Sequence, residues 1–321
     1  MMSQLAVCLL NISEGRQHHV IEKVAKAAGI GNKSPYVGEF KCQSTVLNIF
    51  SDNDYNRSVL TIVATLDQIQ NSVINACKEA YNHINLKLHE GEHPRLGSVD
   101  LIPIYPLIPS VSLSRCGEIA RKIGNRLVDE VPGTSIFWFG YADRPNLRGL
   151  VERRKEVSWY KGKQGLKWDN LNYDHGQPPT SRYGLTGIGA SPYVMNCNVT
   201  METKNLAIGH EIAQAVRGTS SGGLKGVQTM AFRHEGAIEI ACNVEAFGWS
   251  EEMNKGDISD FKYAKPNEIK EKVKILAARH GINVKKTVVV GFTPEEIYDM
   301  AYAALLQGNM EAWKDSKVHR M

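Results

Sequence analysis

The second half of this 321-residue chain alternates strand and helix patterns in an order that few folds accommodate. Runs rich in β-branched residues predict strands, and apolar residues spaced by three and four predict helices. The predicted elements are, in order, strand Tyr193–Val199, helix Asn205–Val216, strand Val227–Phe232, strand Ala237–Val244, helix Pro266–His280 and strand Thr287–Val290. This β-α-β-β-α-β order is the split βαβ, ferredoxin-like arrangement. The sequence therefore predicts a sheet with helices on one face.

The first half has a similar order of predicted elements. Its strands are Leu5–Ile12, Ser44–Phe50, Val59–Ala64, Asp100–Tyr105 and Ser135–Phe139, and its helices are Gln17–Ala28, Leu66–Ile84 and Ser112–Glu130. We therefore predict an α+β protein of two stacked α/β-sandwich subdomains, residues 1–192 and residues 193–321. Asp143–Lys163 and Trp168–Gly189 lack periodicity and are predicted to be irregular. Such long loops usually bind something or link domains.

Composition is typical of a soluble globular protein, and the small net charge is compatible with a basic pocket for an anionic small molecule. The chain is 42% hydrophobic and 22% charged, and its net charge of +4 does not indicate binding to nucleic acid or to a membrane. The 6 cysteines form no C-x-x-C pair and lie mostly in apolar runs, which indicates reduced, buried thiols. The sequence has neither the basic region of a signal peptide nor an apolar run of about eighteen residues. We therefore expect a cytoplasmic protein.

Ionisable side chains are concentrated between His89 and Asp100, and the segment allows two interpretations. His89–His93 matches the H-E-x-x-H motif of zinc proteases, in which both imidazoles must lie on one face of a helix. Gly91 costs a helix about 1 kcal/mol, and Pro94 disfavours helical geometry at the residue before it. We therefore favour a loop between a helix and a strand over a zinc site, and we expect no bound metal. Composition alone leaves two roles open for this loop, a catalytic one or a solvated polar connection.

Several segments together resemble the signatures of the glutamate formiminotransferase family. They are Cys8–Gly15, Asn56–Val59 and Gly91–Asp100. Gly176–Gly184 resembles the folate-binding loop of the family, and Lys225–Gln228 resembles the beginning of a strand in its C-terminal subdomain. The resemblance covers nearly the whole chain, as an N-terminal and a C-terminal subdomain.

The resemblance implies transfer of a formimidoyl group from N-formimino-L-glutamate to N5 of tetrahydrofolate, a reaction of histidine catabolism and one-carbon metabolism. It also implies that folate, as a co-substrate, lies between the two subdomains, and that the protein is a homodimer. N5 loses a proton when it attacks, and the departing glutamate nitrogen gains one. A single imidazole with a pKa near neutrality can carry out both transfers. His93 matches the catalytic histidine of the family, and Glu92 and Asp100 are candidates to orient the ring or to stabilise the amidinium.

Both substrates carry carboxylates, so arginine side chains are expected in the site. The candidates are Arg57, Arg95 and Arg182, and the signatures add Asn11 and Asn56 as substrate-binding residues. The folate-binding residues that the resemblance implies are Gly176, Gln177, Pro178, Pro179, Thr180, Ser181, Arg182, Tyr183 and Gly184.

Two features leave alternatives open. Tyr183 either stacks on the pterin or packs as a structural aromatic residue. The basic run formed by Arg144, Arg148, Arg153 and Arg154 either meets a polyglutamate tail or forms a solvated face.

The chain departs from the family pattern before the Asn56–Arg57 pair. Members usually have an Asp-x-Asp-x-Gly-Pro pattern there, whereas Phe50 takes the place of the acidic residue that would neighbour the amidinium. Asp52 and Asp54 are candidates to replace it. Two functions therefore remain open: a folate-dependent transferase, or a folate-binding protein of the same fold whose transfer activity is lost or altered.

Overall fold

The computed structural model describes residues 4–31, 39–108, 110–157, 168, 171–247 and 262–315. It is a mixed α and β structure with two sheets. The described residues up to 191, with those from 298 onward, form one compact unit, and residues 192–297 contribute the second. Among the described residues, no helix combines the length and the apolar character needed to cross a bilayer.

The first unit is built on a 7-stranded sheet. Its strands are β1 (Leu5–Ile12), β2 (Ser44–Asp52), β3 (Arg57–Thr65), β4 (Val99–Pro106), β5 (Ser135–Gly140), β6 (His175–Gly176) and β7 (Thr186–Ala190). Its helices are α1 (His18–Ala28), α2 (Ile69–His83), α3 (Leu113–Glu130) and α4 (Leu150–Glu156). The strand order is β2-β3-β1-β4-β7-β5-β6, so β1 lies inside the sheet.

Alternation along the inner strands separates the helix-covered face of the sheet from the other face. Ala6, Cys8, Leu10 and Ile12 of β1 join the core formed with α1, α2 and α3. Side chains of successive strand residues point to opposite faces. Asn11 of β1 and Arg57, at the start of β3, therefore project from the face opposite these helices.

The prediction that Trp168–Gly189 is irregular is wrong at the C-terminal end of the segment. β7 lies there between β4 and β5, with parallel pairing to both. A Cβ atom at Gly187 would lie 2.5 Å from the Phe137 ring, and one at Gly189 would lie 2.5 Å from the Phe139 ring. The glycines that argued against a strand thus leave room for the aromatic side chains of β5.

The prediction of an irregular Asp143–Lys163 is also wrong in part, because Leu150–Glu156 forms α4. The interpretation of the basic run as a solvated face fails at two of its members, since Arg153 and Arg154 are buried. Arg153 Nε donates to the Trp138 carbonyl oxygen at 2.9 Å, and its Nη2 pairs with Asp174 at 2.6 Å. These contacts fasten α4 to β5 and to the segment that leads into β6.

The second unit has a 4-stranded sheet. Its elements are β8 (Val194–Met201), α5 (Leu206–Val216), β9 (Val227–His234), β10 (Ala237–Glu245), α6 (Pro266–Ala278), β11 (Val284–Val289) and the beginning of α7 (Pro294–Gln307). The strand order is β11-β8-β10-β9, and each neighbouring pair is antiparallel. The first four strands of the chain have the corresponding order, β4-β1-β3-β2. Both units therefore contain the same β-α-β-β-α-β connectivity.

The end of the described chain packs on the first unit. The Leu305 carbonyl oxygen accepts hydrogen bonds from the backbone N–H groups of Lys41 and Cys42 at 3.0 and 3.3 Å. The Met310 carbonyl oxygen accepts one from the backbone N–H of Val46, in β2, at 3.1 Å. All 6 cysteines are buried and unbridged, which confirms the prediction of buried thiols.

Candidate active site

His93 lies in a loop, as the sequence predicts. The segment from His89 to Ser98 contains no α-helix, so the geometry that the zinc-protease motif requires is not formed. A Cβ atom at Gly91 would lie 2.3 Å from the Tyr55 carbonyl oxygen, so the loop packs against its neighbour too closely for a larger residue. Among the described residues, no group of three or more His, Cys, Asp or Glu side chains is arranged to hold a metal ion.

Both nitrogens of the His93 ring are engaged, and their partners determine where the ring proton lies. Nδ1 is 2.7 Å from the Pro94 carbonyl oxygen, which can only accept, so Nδ1 carries the proton. Nε2 is 3.0 Å from Nη1 of Arg57, which can only donate. His93 is therefore a neutral imidazole with the lone pair of Nε2 directed at a guanidinium group.

Arg57 is held beside His93 by a residue of the neighbouring strand. Its Nη2 donates to Oδ1 of Asn11, whose Nδ2 donates to the Leu9 carbonyl oxygen at 2.7 Å. Burial lowers the pKa of Arg57 to about 10, while the charge of Asp100 acts in the opposite direction. Arg57 therefore remains protonated at neutral pH. Two of the predicted substrate-binding residues, Asn11 and Arg57, thus meet at the predicted catalytic histidine.

Arg154 of α4 supplies another positive charge to the same site. Its charge lowers the pKa of both Arg57 and His93, and its side chain is buried. Burial of the His93 ring lowers the pKa of His93 well below its ordinary value, and the charges of Arg57 and Arg154 lower it further. The imidazole is consequently a neutral base at neutral pH.

Sequence reasoning missed two residues of this site. Arg154 was included only in a basic run, and no periodicity distinguishes it from the residues beside it. Tyr55, which is buried, lies with its ring centroid 5.3 Å from that of His93. Its position next to Asn56 in a family signature is the only sequence signal that pointed to it.

Asn56 joins three segments around the site. Its Oδ1 accepts from the backbone N–H of Gly15 at 2.8 Å, and its Nδ2 donates to the Glu90 carbonyl oxygen at 2.9 Å. Its own carbonyl oxygen accepts from Nε2 of His89 at 2.7 Å. Asn56 has a φ of 46°, in the left-handed region that asparagine tolerates better than most residues. The side-chain amide of Asn56, which the sequence suggested for substrate binding, thus joins the backbone at Gly15 to the backbone at Glu90.

Arg95 and Asp100 shape the loop that carries His93. Arg95 donates to the carbonyl oxygens of Gly91, His93 and His89 at 3.2, 3.0 and 3.1 Å. Oδ1 of Asp100 accepts from the backbone N–H groups of Leu96 and Gly97 at 2.8 and 3.2 Å.

Glu92 contributes to the same loop through its backbone. The residue is exposed, and its N–H donates to the Asp54 carbonyl oxygen at 3.1 Å. These contacts fix the backbone on both sides of the His93 ring.

The predicted folate-binding loop is anchored to the His93 loop at its C-terminal end. The backbone N–H of Ser98 donates to the Tyr183 carbonyl oxygen at 2.9 Å, and that of Leu185 donates to the Leu96 carbonyl oxygen at 2.8 Å. Gly184, between these contacts, has a φ of 70°, and a Cβ atom there would lie 1.9 Å from the Leu96 carbonyl oxygen. Only glycine combines this backbone conformation with so close an approach.

The rest of the predicted folate-binding loop is attached at its other end and exposed along most of its middle. The backbone N–H of Gln177 donates to the Thr134 carbonyl oxygen at 3.2 Å. Pro179 is buried, whereas five other loop residues are exposed: Gln177, Pro178, Thr180, Ser181 and Arg182.

Arg182 and Tyr183 are engaged by α2. Arg182 Nη2 donates to the Asn82 carbonyl oxygen at 3.2 Å, and its guanidinium lies 5.5 Å from the centroid of the Tyr183 ring. That ring meets the Tyr81 ring edge-on at 5.1 Å. Both side chains thus have partners within the protein in this structure.

The departure from the family pattern falls in the hairpin between β2 and β3. Phe50 is partly buried in β2 and faces Val59 across the strand pair. Oδ1 of the buried Asp52 accepts from the backbone N–H of Tyr55 at 2.8 Å, which closes the hairpin turn. Asp54 is exposed. Asp52 therefore serves the turn that presents Tyr55 and Arg57 to the site.

Residues 5–191 match the family model described as the formiminotransferase domain, N-terminal subdomain. The chain belongs to the formiminotransferase family. The matched range contains His93, Arg57, Arg154 and the whole predicted folate-binding loop.

Relatives of this formiminotransferase match it over most of its length. It is 28% identical to glutamate formimidoyltransferase of Thermoplasma acidophilum, over 91% of this chain and 89% of the relative. It is 29% identical to glutamate formimidoyltransferase of Streptococcus pyogenes serotype M1, over 91% of this chain and 90% of the relative. It is 30% identical to a formiminotransferase cyclodeaminase-like protein of Arabidopsis thaliana, over 92% of this chain and 95% of the relative. The chain is thus a transferase of the glutamate formimidoyltransferase type.

Proposed function

We propose that this chain transfers a formimidoyl group from N-formimino-L-glutamate to N5 of tetrahydrofolate, with His93 as the general acid and base. The observation that carries the proposal is the protonation state of the His93 ring. Nδ1 donates to the Pro94 carbonyl oxygen, and the lone pair of Nε2 faces Arg57, so the ring has one basic nitrogen within a cationic site. The two relatives named glutamate formimidoyltransferase support the donor and the group transferred.

The proposed reaction needs one proton to be moved between two nitrogens. N5 of tetrahydrofolate forms a bond to the formimidoyl carbon, and its proton passes to Nε2 of His93. The same proton passes from His93 to the glutamate nitrogen as the bond between that nitrogen and the formimidoyl carbon breaks. The lowered pKa of His93 keeps the ring neutral when N5 begins to attack, and the ring returns to neutral once the proton has passed to the glutamate nitrogen.

The positive charges around His93 support the choice of donor. N-formimino-L-glutamate carries two carboxylates at neutral pH, and a guanidinium group can bind a carboxylate through two parallel hydrogen bonds. Arg57 lies in contact with the imidazole, and the charge of Arg154 acts on both groups. A carboxylate of the donor bound at these arginines would bring its formimidoyl group to His93.

The anchored loop supports tetrahydrofolate as the acceptor. Its C-terminal end is hydrogen-bonded to the loop of His93, while most of the residues between its ends are exposed. Such a loop can contact a ligand without losing its position relative to the imidazole. The strand order of the second unit likewise supports the predicted ferredoxin-like arrangement. A homodimer in the cytoplasm remains our expectation for the assembled protein.

The proposal is tested by incubating the full chain with N-formimino-L-glutamate and tetrahydrofolate and following 5-formiminotetrahydrofolate by absorbance. We expect product with the wild type and a loss of about 10²- to 10⁴-fold in kcat for His93→Ala. His83→Ala, an exposed histidine near the end of α2, is the matched control and should leave kcat unchanged. Absence of product from the wild type, or equal rates for His93→Ala and the wild type, would refute the proposal.

A second measurement beside the turnover assay distinguishes the binding-only alternative. Calorimetry with tetrahydrofolate measures binding independently of turnover. Tight binding without product would indicate a folate-binding protein that has lost transfer, as the replacement of the family's acidic residue by Phe50 first suggested. The names of the curated relatives favour transfer over this alternative.

A further inference from the structure

The proton acceptor of the site is covered by a cation. Because Nδ1 of His93 carries the ring proton, Nε2 is the one ring atom that can accept another. An imidazole nitrogen has a single lone pair in the plane of the ring, and that of Nε2 already accepts a hydrogen bond from Arg57 Nη1 at 3.0 Å. Arg57 must therefore release Nε2 before His93 can act as a base.

The guanidinium of Arg57 has hydrogen-bonding capacity that the described protein does not use. Its Nε is buried and has no hydrogen-bond partner among the described residues, and the same is true of Nε of Arg95. A buried donor without a partner is costly, so its presence beside a reactive group points to a ligand. Asn11 holds the side chain through Nη2, so Nε and Nη1, which lie on opposite edges of the guanidinium, are each placed to meet an anion separately.

We propose that Arg57 is a substrate-responsive positioning residue, which covers Nε2 of His93 in the unliganded protein and passes its Nη1 hydrogen bond to a carboxylate of the donor when the donor binds. The base is then exposed only in the presence of its substrate. This inference rests on the proposed function, because it assigns Arg57 a task in the reaction of His93. The binding energy of a carboxylate that does not react is thereby used to expose the base that does.

The charged groups around His93 determine the sign of the expected pH response. The hairpin contributes Arg57, Tyr55 and Asp52, α4 contributes Arg154, and the loop of His93 itself contributes Arg95 and Asp100. In the unliganded protein the cations oppose protonation of the ring. A carboxylate at Arg57 brings negative charge to the site and removes the donor from Nε2, so both effects raise the pKa of His93.

Nitrogen NMR of the histidine side chains in the full chain tests the proposal, with His93→Gln used to assign the signal. We expect the unliganded wild type to show the Nδ1-protonated tautomer with Nε2 hydrogen-bonded. L-Glutamate, the product that carries both donor carboxylates, should raise the pKa of His93. Arg57→Gln should raise that pKa without glutamate and should abolish the response to glutamate. Arg115→Gln, which removes an exposed arginine of α3, is the matched control and should change neither.

Kinetics separates this role from a purely structural one. Loss of a charge-assisted hydrogen bond should raise the KM for N-formimino-L-glutamate about 10- to 100-fold in Arg57→Gln. The acidic limb of the kcat/KM profile should also move to higher pH. Arg57→Lys keeps the charge, so it should retain more affinity for the donor and should reveal whether loss of folding explains the glutamine variant.

The outcomes distinguish failure of this inference from failure of the proposed function. If His93→Ala abolishes transfer but neither glutamate nor Arg57→Gln changes the pKa of His93, the role of Arg57 is refuted and the proposed function stands. If the pKa responds as expected but the wild type forms no product, the response of Arg57 stands and formimidoyl transfer is refuted. If glutamate fails to bind at all, the role of Arg57 is refuted.

Discussion

Replacing Asn56 by alanine should loosen the loops around His93. The side chain of Asn56 is buried and makes hydrogen bonds to the backbone of both Gly15 and Glu90. Alanine removes both bonds and places a residue with no local side-chain hydrogen bond at a φ of 46°. Asn56→Asp keeps the acceptor for Gly15, loses the donor to Glu90 and still tolerates the left-handed conformation.

The loss of stability expected for Asn56→Ala is the sum of three contributions: the hydrogen bond to Gly15, the hydrogen bond to Glu90 and the left-handed backbone. Gly15 is buried, so its N–H is left without a partner at a cost of about 1–2 kcal/mol. Glu90 is exposed, so water can replace Asn56 at its carbonyl oxygen and the cost there is about 0.5 kcal/mol. The left-handed conformation costs alanine about 1 kcal/mol more than asparagine. Asn56→Ala should therefore lower the free energy of unfolding by about 3 kcal/mol, and Asn56→Asp by about 1 kcal/mol.

Native-state hydrogen exchange in urea measures the effect where it arises, because the slowest-exchanging amides of β1 lie in the first unit, beside Asn56. Asn53→Ala, at an exposed position of the same hairpin, is the matched control and should change the free energy of unfolding by less than about 0.5 kcal/mol. If Asn56→Ala is no more destabilising than Asn53→Ala, the two side-chain hydrogen bonds do not hold the loops together. In that case the predicted role of Asn56 in substrate binding would be the remaining explanation for its place beside the site.

Three further predictions concern other parts of the first unit. Gly184→Ala should destabilise it by about 3 kcal/mol and weaken tetrahydrofolate binding in calorimetry, whereas Gly31→Ala, at a φ of 83° with open space around it, should cost only about 1 kcal/mol. Ser112→Ala should cost about 1 kcal/mol in urea unfolding, because the Ser112 hydroxyl caps α3 by accepting from the Arg115 N–H at 3.1 Å. Since the folded-state pKa of His93 lies below its unfolded value, the unfolded chain takes up the proton first, and stability falls as the pH drops below about 6.5. Unfolding of His93→Gln should depend less on pH across that window, and an unchanged dependence would contradict the lowered pKa.

Local patterns in the sequence were sufficient to predict most helices and strands of the fold. The predicted strand Leu5–Ile12 has the observed bounds, and the predicted helix Asn205–Val216 differs by one residue because Asn205 is its cap. The loop of His93 was also predicted correctly, since Pro94 restricts the residue before it whatever the surrounding structure. These features depend on a residue and its near neighbours in the chain, which a single sequence contains.

The predictions that were wrong concern elements whose formation depends on residues far away in the sequence. The strand Thr186–Ala190 was missed because glycine weakens an isolated strand, whereas here the rings of Phe137 and Phe139 fill the space. α4 was missed because it is short and its buried residues are arginines, which no hydrophobic pattern reveals. Arg154 was missed as a site residue for the same reason, because it belongs to α4. The position of α4 depends on the contact of Arg153 with Asp174, a partner 21 positions away.

The attachment of the last described residues to β2 has a consequence for solubility. β2 is the outermost strand at its end of the 7-stranded sheet, and the Val46 N–H at this border is occupied by Met310. An uncovered border strand offers its backbone to other molecules and promotes aggregation. Shortening the chain before Tyr298 would strip this cover, so such a variant should self-associate in sedimentation experiments even if its loops around the imidazole are intact. Any effort to dissect the molecule into halves would need to keep these final residues with the first half.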